Sequence, residues 1–187
     1  DKHTWQAAPT TAKQALTLRY EIYAWDLSVR GAHLDQTHAF FNGTSVFLRV
    51  LGQEESPCLV DLQPPKGKPY ADWRVATALA PAHKEKKSAK AHGFGLYAAA
   101  NYDELIDHPV EMGTFTLASF KACGVLHEIA ITGRHDCDLE RLTADLAGDK
   151  AALKLIAGID DAELALLMTE LGGHCLETIL EAFARAA

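Results

Sequence analysis

A short acidic segment, YDELIDHPVEMG from Tyr102 to Gly113, carries the residues best suited to chemistry. Its four carboxylates lie close together in the chain: Asp103, Glu104, Asp107 and Glu111. Carboxylates form strong, charge-assisted hydrogen bonds with ammonium groups, so a segment of this kind can bind a cationic ligand. A solvated surface loop is the other interpretation, because acidic side chains are seldom buried.

The backbone that positions these carboxylates is interrupted by a proline. Pro109 disfavours helical backbone at His108 and ends any helix that begins at Asp103. The pattern therefore predicts one short turn, then a kink, then a strand that begins at Val110.

Known catalytic motifs are absent from the sequence. A zinc peptidase motif, H-E-x-x-H, needs two histidines on one face of a helix. The single His-Glu pair, His127-Glu128, is followed by Ile131 where the second histidine would stand. The segment also has the pattern of a strand, on which those two side chains point to opposite faces. Phosphate-binding, dinucleotide-binding and serine-hydrolase motifs are missing too, so we expect no catalytic residue in this chain.

Two groups of side chains have metal-binding residue types without a known spacing. The first suits zinc but matches no common site, and its members are Cys123, His127, His135 and Cys137. The second comprises His33 and His38 near Asp35, for which we favour a polar loop that packs on a sheet. We therefore expect no metal ligand in this chain.

Composition limits the class of protein. With 187 residues, 48% hydrophobic and 23% charged, the chain is one globular domain, or one domain with an appendage. A net charge of −7 argues against nucleic acid as a partner. No apolar run approaches the ~20 residues that a membrane span needs. The chain starts at Asp1 without a signal peptide, which leaves its compartment unknown.

Hydrophobic periodicity predicts a mainly β fold, a β-sandwich-like domain followed by a short helical C-terminal segment. The domain would span residues 1–133 and the helical appendage 134–187. The predicted strands are Gln14–Trp25, Val46–Leu51, Cys58–Leu62, Trp73–Leu79, Phe94–Ala100, Thr114–Phe120 and Val125–Thr132. The predicted helices are Cys137–Leu146 with Asp138 as N-cap, Lys150–Ala157, one that begins at Asp160 or Asp161, and His174–Ala186.

Three further patterns have structural interpretations. Cys123 and Cys137 flank a predicted strand and could form a disulfide, although the even cysteine count does not require one. The lysine-rich stretch from Ala80 to His92 is best explained as a solvated loop rather than an anion-binding patch. The three tryptophans could stack on a sugar, but core or edge packing is the favoured interpretation.

Three blocks of sequence resemble the N-terminal, non-catalytic region of the glycyl aminopeptidase family of metallopeptidases. They are YAWDLSVRGAHLDQTHAFFNGTSVFL (Tyr23 to Leu48), DWRVATAL (Asp72 to Leu79), and GFGLYAAANYDELIDHPVEMGTF with HEIAITGRHDCDLERLTADL (Gly93 to Leu146). The resemblance covers roughly the first 147 residues, and residues 148–187 do not match. It implies a β-rich domain that precedes a thermolysin-like zinc domain.

The resemblance also implies a function. This chain would be a non-catalytic domain that shapes the cleft of a zinc metallo-aminopeptidase and supports a catalytic domain absent from this chain. Zinc would belong to the parent enzyme, and this chain would hold no cofactor. Its partners would be that catalytic domain and the parent's peptide substrate. Asp107 and Glu111 are the candidate substrate-binding residues, since either could pair with a substrate ammonium.

Two other functions stay open. The chain could be a stand-alone protein-interaction or ligand-binding β-domain, because apolar helices in its tail could dock in the groove of a partner. The tail from Asp160 onward also resembles, over a short leucine-rich stretch, a piece of thiamine-diphosphate-dependent enzymes. On that interpretation the chain would contain a fragment related to such an enzyme.

Overall fold

The computed structural model describes residues 4–7, 15–122, 125–148 and 179–184. Within these ranges it contains ten strands and two α-helices, together with 3-10 turns at Gly43–Ser45 and Lys68–Tyr70. The strands are β1 (Ala32–Leu34), β2 (His38–Phe41), β3 (Cys58–Leu62), β4 (Arg74–Ala76), β5 (Ala80–Pro81), β6 (Gly95–Ala99), β7 (Val110–Gly113), β8 (Phe115–Ala122), β9 (Val125–Thr132) and β10 (Ile179–Ala184). The helices are α1 (Tyr102–Asp107) and α2 (Leu139–Gly148).

The strands form three antiparallel sheets. The first has the order β1-β2-β7-β4, the second β3-β6-β5, and the third β10-β9-β8. In the first sheet β7 is an inner strand, so Glu111 pairs with Phe40 of β2 on one side and with Ala76 of β4 on the other. The predicted mainly β fold with a short helix near its C-terminal end is confirmed. No helix in the described ranges is long and apolar enough to cross a membrane.

The main hydrophobic core lies between the first and second sheets. It combines side chains from strands of both sheets and from α1: Leu62, Val75, Leu79, Tyr97, Leu105 and Val110. Burial of each large aliphatic side chain contributes about 1.5–3 kcal/mol of transfer free energy, which holds the two sheets together. This core fixes the position of β7, because Val110 is fully buried beside Glu111.

The acidic segment folds as its sequence predicts. Asn101 caps α1, with its side chain accepting a hydrogen bond from Glu104 N over 2.8 Å. The helix ends at Asp107, and His108 has extended backbone (φ −110°, ψ 97°) because Pro109 follows it. The strand β7 then begins at Val110, as expected.

Two strand predictions were wrong. Residues 15–24 have no regular sheet partner in the described part of the chain, and Trp25 makes only an isolated bridge with His33. The apolar side chains of this segment alternate but are exposed, so the period-two pattern lacks the packed face on which it usually depends. The predicted strand Val46–Leu51 is irregular, with Val50 and Leu51 exposed.

Further strands agree with their predictions. The predicted strand Cys58–Leu62 is β3, and β6 lies inside the predicted strand Phe94–Ala100. The predicted strands Thr114–Phe120 and Val125–Thr132 correspond to β8 and β9, which pair along their whole length as a hairpin. The short strands β1 and β2 were not predicted, because each has only three or four residues between turns.

After residue 133 the prediction is partly confirmed. The helix expected at Cys137–Leu146 is α2, and Asp138 caps it by accepting a hydrogen bond from Arg141 N over 3.0 Å. The helix expected at His174–Ala186 is wrong where the chain is described, because residues 179–184 form β10 along the edge of β9. An open sheet edge offers unpaired backbone groups, and pairing with it overrides local helix propensity. The two predicted helices between residues 150 and 171, the thiamine-diphosphate resemblance and Cys123 lie outside the described residues.

Candidate functional site

The structure places the two predicted substrate-binding carboxylates in different environments. Asp107 is exposed at the end of α1. Glu111 is fully buried on β7, with none of its surface accessible to solvent. The two side chains therefore do not act as one exposed acidic patch, and Glu111 has a separate local network.

That network contains every buried polar or charged side chain of the described residues. There are three of them, Glu111, His38 and Thr132, and they touch one another. His38 Nδ1 lies 3.1 Å from Glu111 Oε1, and Thr132 Oγ1 donates to the same oxygen over 2.7 Å. A buried carboxylate is costly unless it is paired and hydrogen-bonded, and these contacts supply both requirements.

Strand register explains why His38 and Glu111 meet. In the β2–β7 pair His38 is opposite Gly113, so Glu111 is its diagonal neighbour on the same face. Gly113 leaves room for the imidazole, since a Cβ there would lie 3.0 Å from His38 Cβ. The other carboxylate oxygen, Glu111 Oε2, is buried and has no hydrogen-bond partner among the described residues. Glu111 thus retains one acceptor able to bind another donor.

The charge state of His38 depends on Glu111. The hydrogen bond from Glu111 raises the pKa of His38 above its ordinary value, while burial acts in the opposite direction. The negative charges of Glu111 and Asp35 also raise this pKa. His38 is therefore biased towards the imidazolium form, which neutralises the buried carboxylate.

A second polar group, on the turn between β1 and β2, adjoins His38. Asp35 Oδ1 accepts three hydrogen bonds, from Thr37 N (2.6 Å), Thr37 Oγ1 (2.7 Å) and His38 N (3.1 Å). Asp35 Oδ2 faces His33 Nε2 at 3.4 Å. Burial would raise the pKa of Asp35, but these hydrogen bonds from Thr37, His38 and His33 hold it well below its usual range. Asp35 is therefore a fixed, ionised carboxylate.

The aromatic rings extend this group to the surface. The rings of His33 and His38 have centroids 5.0 Å apart, and Trp25 lies over His33 at 5.3 Å. The possible ligand atoms of His33, Asp35 and His38 all lie within 4.8 Å of one another. The sequence showed His33, Asp35 and His38 only as a loose group of metal-binding residue types, and it gave no sign that Glu111 and Thr132 would adjoin it.

The other metal-binding candidates do not form one group among the described residues. His127 stacks on Phe120, with centroids 5.0 Å apart and planes at 12°. His135 Nε2 lies 2.9 Å from Thr116 Oγ1. The described histidines of that proposed zinc set are therefore engaged with separate partners.

The residues of this chain do not fit the zinc motif of a thermolysin-like enzyme. His127 and Glu128 lie on strand β9 rather than on a helix. They project to different neighbours, His127 to Phe120 and Glu128 Oε1 to His92 Nε2 at 3.2 Å. We therefore derive no catalytic step from this pair.

Core packing, the interpretation favoured for the tryptophans, holds for Trp73 but not for the exposed Trp5 and Trp25. Trp73 is buried and packs edge-to-face on Tyr70, whereas Trp5 and Trp25 are exposed, so the three do not form a common platform. The lysine-rich stretch contains β5 and then turns with exposed lysines at 84, 86, 87 and 90.

The first 114 residues define the class of protein. The family described as the peptidase M61 N-terminal domain matches residues 1–114, which is more than half of the chain. The chain therefore belongs to this family, and the predicted resemblance to the N-terminal region of a metallopeptidase is confirmed.

Among solved structures, the chain is similar to the crystal structure of an aminopeptidase N family protein from Idiomarina loihiensis. The two are 46% identical with a TM-score of 0.60, over 67% of this chain. The match covers 20% of the Idiomarina protein, so this chain spans about one fifth of that protein's length. A comparison with curated proteins found no match.

Proposed function

We propose that this chain is the N-terminal accessory domain of a zinc metallo-aminopeptidase, where it supports a separate catalytic domain and shapes its cleft. On this proposal the chain contributes no catalytic residue and no zinc ligand to the peptidase centre. Zinc belongs to the catalytic domain, and the peptide substrate lies between the two domains. The supporting observation is a large apolar surface that the described residues leave uncovered.

This surface, the N-terminal apolar segment, consists of residues 16–29. Fifteen large hydrophobic side chains are exposed in the described residues, and eight of them fall in this segment. The eight are Leu16, Leu18, Tyr20, Ile22, Tyr23, Trp25, Leu27 and Val29. Contiguous exposed apolar surface of this kind marks an interaction site, whereas scattered single residues do not.

The family and the solved structure support a proposal for what covers the segment. The match spans one fifth of the Idiomarina protein, which leaves four fifths of that protein to form other parts of the molecule. That protein is an aminopeptidase N family protein. We therefore assign the cover of residues 16–29 to the catalytic part of a parent peptidase rather than to an unrelated protein.

A reconstitution assay tests this proposal. The purified chain should not hydrolyse a glycyl or alanyl arylamide, with or without added zinc. Mixed with the Idiomarina protein lacking its matched fifth, it should form a complex and raise the aminopeptidase activity of that truncated protein. Hydrolysis by the chain alone, or failure to form a complex, would contradict the proposal.

Matched surface variants sharpen the assay. Leu18 and Leu59 are about equally exposed, at 60% and 58%, but only Leu18 belongs to the N-terminal apolar segment. Leu18→Asp should weaken the complex by about tenfold or more, because it buries an unpaired charge at the interface. Leu59→Asp should bind like the wild type, and equal losses in both variants would argue for a general loss of folding.

The proposed contact with substrate is made by the acidic segment. Glu111 Oε2 has no hydrogen-bond partner among the described residues, and Asp107, four residues earlier, is exposed at the end of α1, so either carboxylate could hold the substrate ammonium. Glu111→Gln and Asp107→Asn in the intact parent each remove one of these carboxylates. The variant that loses the contact should have a KM raised by about ten- to a hundredfold, because a hydrogen bond to a charged group contributes a free energy of that size. The control Asp103→Asn changes another exposed carboxylate of the same segment. An unchanged KM in both Glu111→Gln and Asp107→Asn would contradict the proposed substrate contact.

One alternative function draws on the same exposed surface. A stand-alone interaction module would also present residues 16–29 to a protein partner. Size-exclusion chromatography of the isolated chain with light scattering tests this alternative, because a clean monomer without accessible apolar surface would count against an interaction module. Association that stops when the catalytic domain is added supports the accessory role.

A further inference from the structure

We infer that His33, Asp35 and His38 form a site for a divalent transition-metal ion such as zinc, separate from any peptidase centre. Two imidazoles and one carboxylate are ligands that zinc and neighbouring ions accept. The sequence favoured a simple polar loop for these residues. The geometry of the β1–β2 turn points to ligation instead, and the inference does not depend on the proposed function.

The first argument is that in Asp35 and His38 one polar atom is held by neighbouring groups while the other is left to bind an ion. Asp35 Oδ1 is occupied by three donors from Thr37 and His38, which leaves Oδ2. His38 Nδ1 faces Glu111, which leaves Nε2. Such hydrogen bonds set the tautomer and the rotamer of a ligand before the ion arrives.

The second argument is the spacing of the ligand atoms. His33 Nε2 and Asp35 Oδ2 are 3.4 Å apart, longer than a usual N–H···O hydrogen bond of about 2.7–3.2 Å. Two ligands on a tetrahedral ion with bonds of about 2.0 Å are separated by about 3.3 Å. One possible ligand atom from each of the three residues lies within 4.8 Å of the other two.

The third argument concerns the outer contacts. A metal-bound histidine usually donates its other N–H to a carboxylate, and Glu111 occupies that position beside His38. Glu111 is itself held by Thr132 of β9, so the chain of contacts runs from the turn through the first sheet to the third. A cation on His38 also compensates the buried charge of Glu111. Glu111 is thus a positioning residue for this site.

The exposure of the three side chains indicates how an ion would enter the site. The side chain of Asp35 is 33% exposed, while those of His33 and His38 are 12% and 10% exposed, so an ion would enter past Asp35. Three protein ligands leave one position of a tetrahedral ion for water or another ligand. The site therefore resembles an open metal site more than a closed structural one.

Zinc titration of the whole chain by calorimetry tests the inference. The wild type should bind one zinc ion at a site that Asp35→Asn weakens at least tenfold, because the variant loses the ligand oxygen Oδ2. Asn keeps an oxygen that can accept the hydrogen bonds from Thr37 and His38, so the turn should stay folded. His83→Ala removes an exposed histidine outside the cluster and should bind zinc like the wild type.

Two further measurements keep the inference testable if Asp35→Asn does not fold. Cu²⁺ should quench the fluorescence of Trp25, which lies over His33, and the quenching should disappear in Trp25→Phe. Glu111→Gln should weaken zinc binding by roughly ten- to a hundredfold without abolishing it, as expected of an outer contact. Zinc binding that is absent from the wild type, or equal in wild type and Asp35→Asn, would overturn the assignment.

Discussion

Glu111 is the residue with the most unusual environment in the described chain. It is the only buried carboxylate there, and its hydrogen bonds go to the only other buried polar side chains, His38 and Thr132. Removing one partner of such a group leaves an uncompensated buried charge, which is far more costly than the pair is stabilising. The role of Glu111 in any ligand contact therefore depends on His38.

The His38–Glu111 pair should make the stability of the metal-free protein depend on pH. The pKa of His38 is raised in the folded state, so the stabilisation is complete below the unfolded value of about 6.5 and is lost as pH rises through the folded value. In the presence of a chelator, urea unfolding between about pH 6 and pH 9 should show a larger loss of stability for the wild type than for Glu111→Gln. Parallel curves for the two proteins would show that the pair does not titrate in this way.

Sequence reasoning found Glu111 but not its environment. The acidic segment made it a candidate because four carboxylates are close together in the chain. His38 is 73 residues away and Thr132 is 21 away, and only strand register brings them together. Local patterns do not encode that register, so a surface carboxylate and a buried one look alike in the sequence.

At the scale of elements, α2 shows how the chain after residue 133 joins the β-domain. Leu146 of α2 is buried with three residues of β8 and β9, Phe120, Ile129 and Ile131. The helix is too short to be stable alone, so this packing stabilises it. A contact with the sheet was one of the arrangements expected for these helices.

Truncation of the helix contact should destabilise the protein measurably. Leu146→Ala should lower the free energy of unfolding by about 2–5 kcal/mol, as for other buried leucines. The control Leu126→Ala changes a side chain of β9 that is 47% exposed and should alter stability by about 0.5 kcal/mol or less. Denaturant unfolding measures both, and equal small effects would show that α2 is not part of the cooperative core.

The elements that were predicted well are those whose partners lie close to them in the sequence. The hairpin β8–β9 and the turn into β7 depend on neighbours in sequence, so alternation and Pro109 were sufficient to predict them. Residues 15–24 have strand-like alternation without a sheet partner, and residues 179–184 have a helix-like pattern but pair with β9. In both segments the secondary structure depends on whether a neighbouring strand is available for pairing, and the hydrophobic pattern does not specify that.

At the scale of the whole molecule, the described residues form three sheets and three hydrophobic clusters but leave the apolar side chains of residues 16–29 uncovered. The sandwich-like class was predictable because it follows from many short strands with proline- and glycine-rich turns. The uncovered surface was not, because exposure is a property of the assembled fold. Both the proposed accessory role and the alternative interaction module depend on this surface.

The position of this surface along the polypeptide has a consequence for biosynthesis. Residues 16–29 leave the ribosome before the sheets that follow them and, on the proposed function, long before the catalytic domain that covers them. At about 5–20 residues per second, four fifths of a chain as long as the Idiomarina protein takes many seconds to translate. During that interval the leucine and tyrosine side chains of residues 16–29 stay exposed in the nascent chain. The yield of folded protein should therefore depend on chaperones that bind this segment.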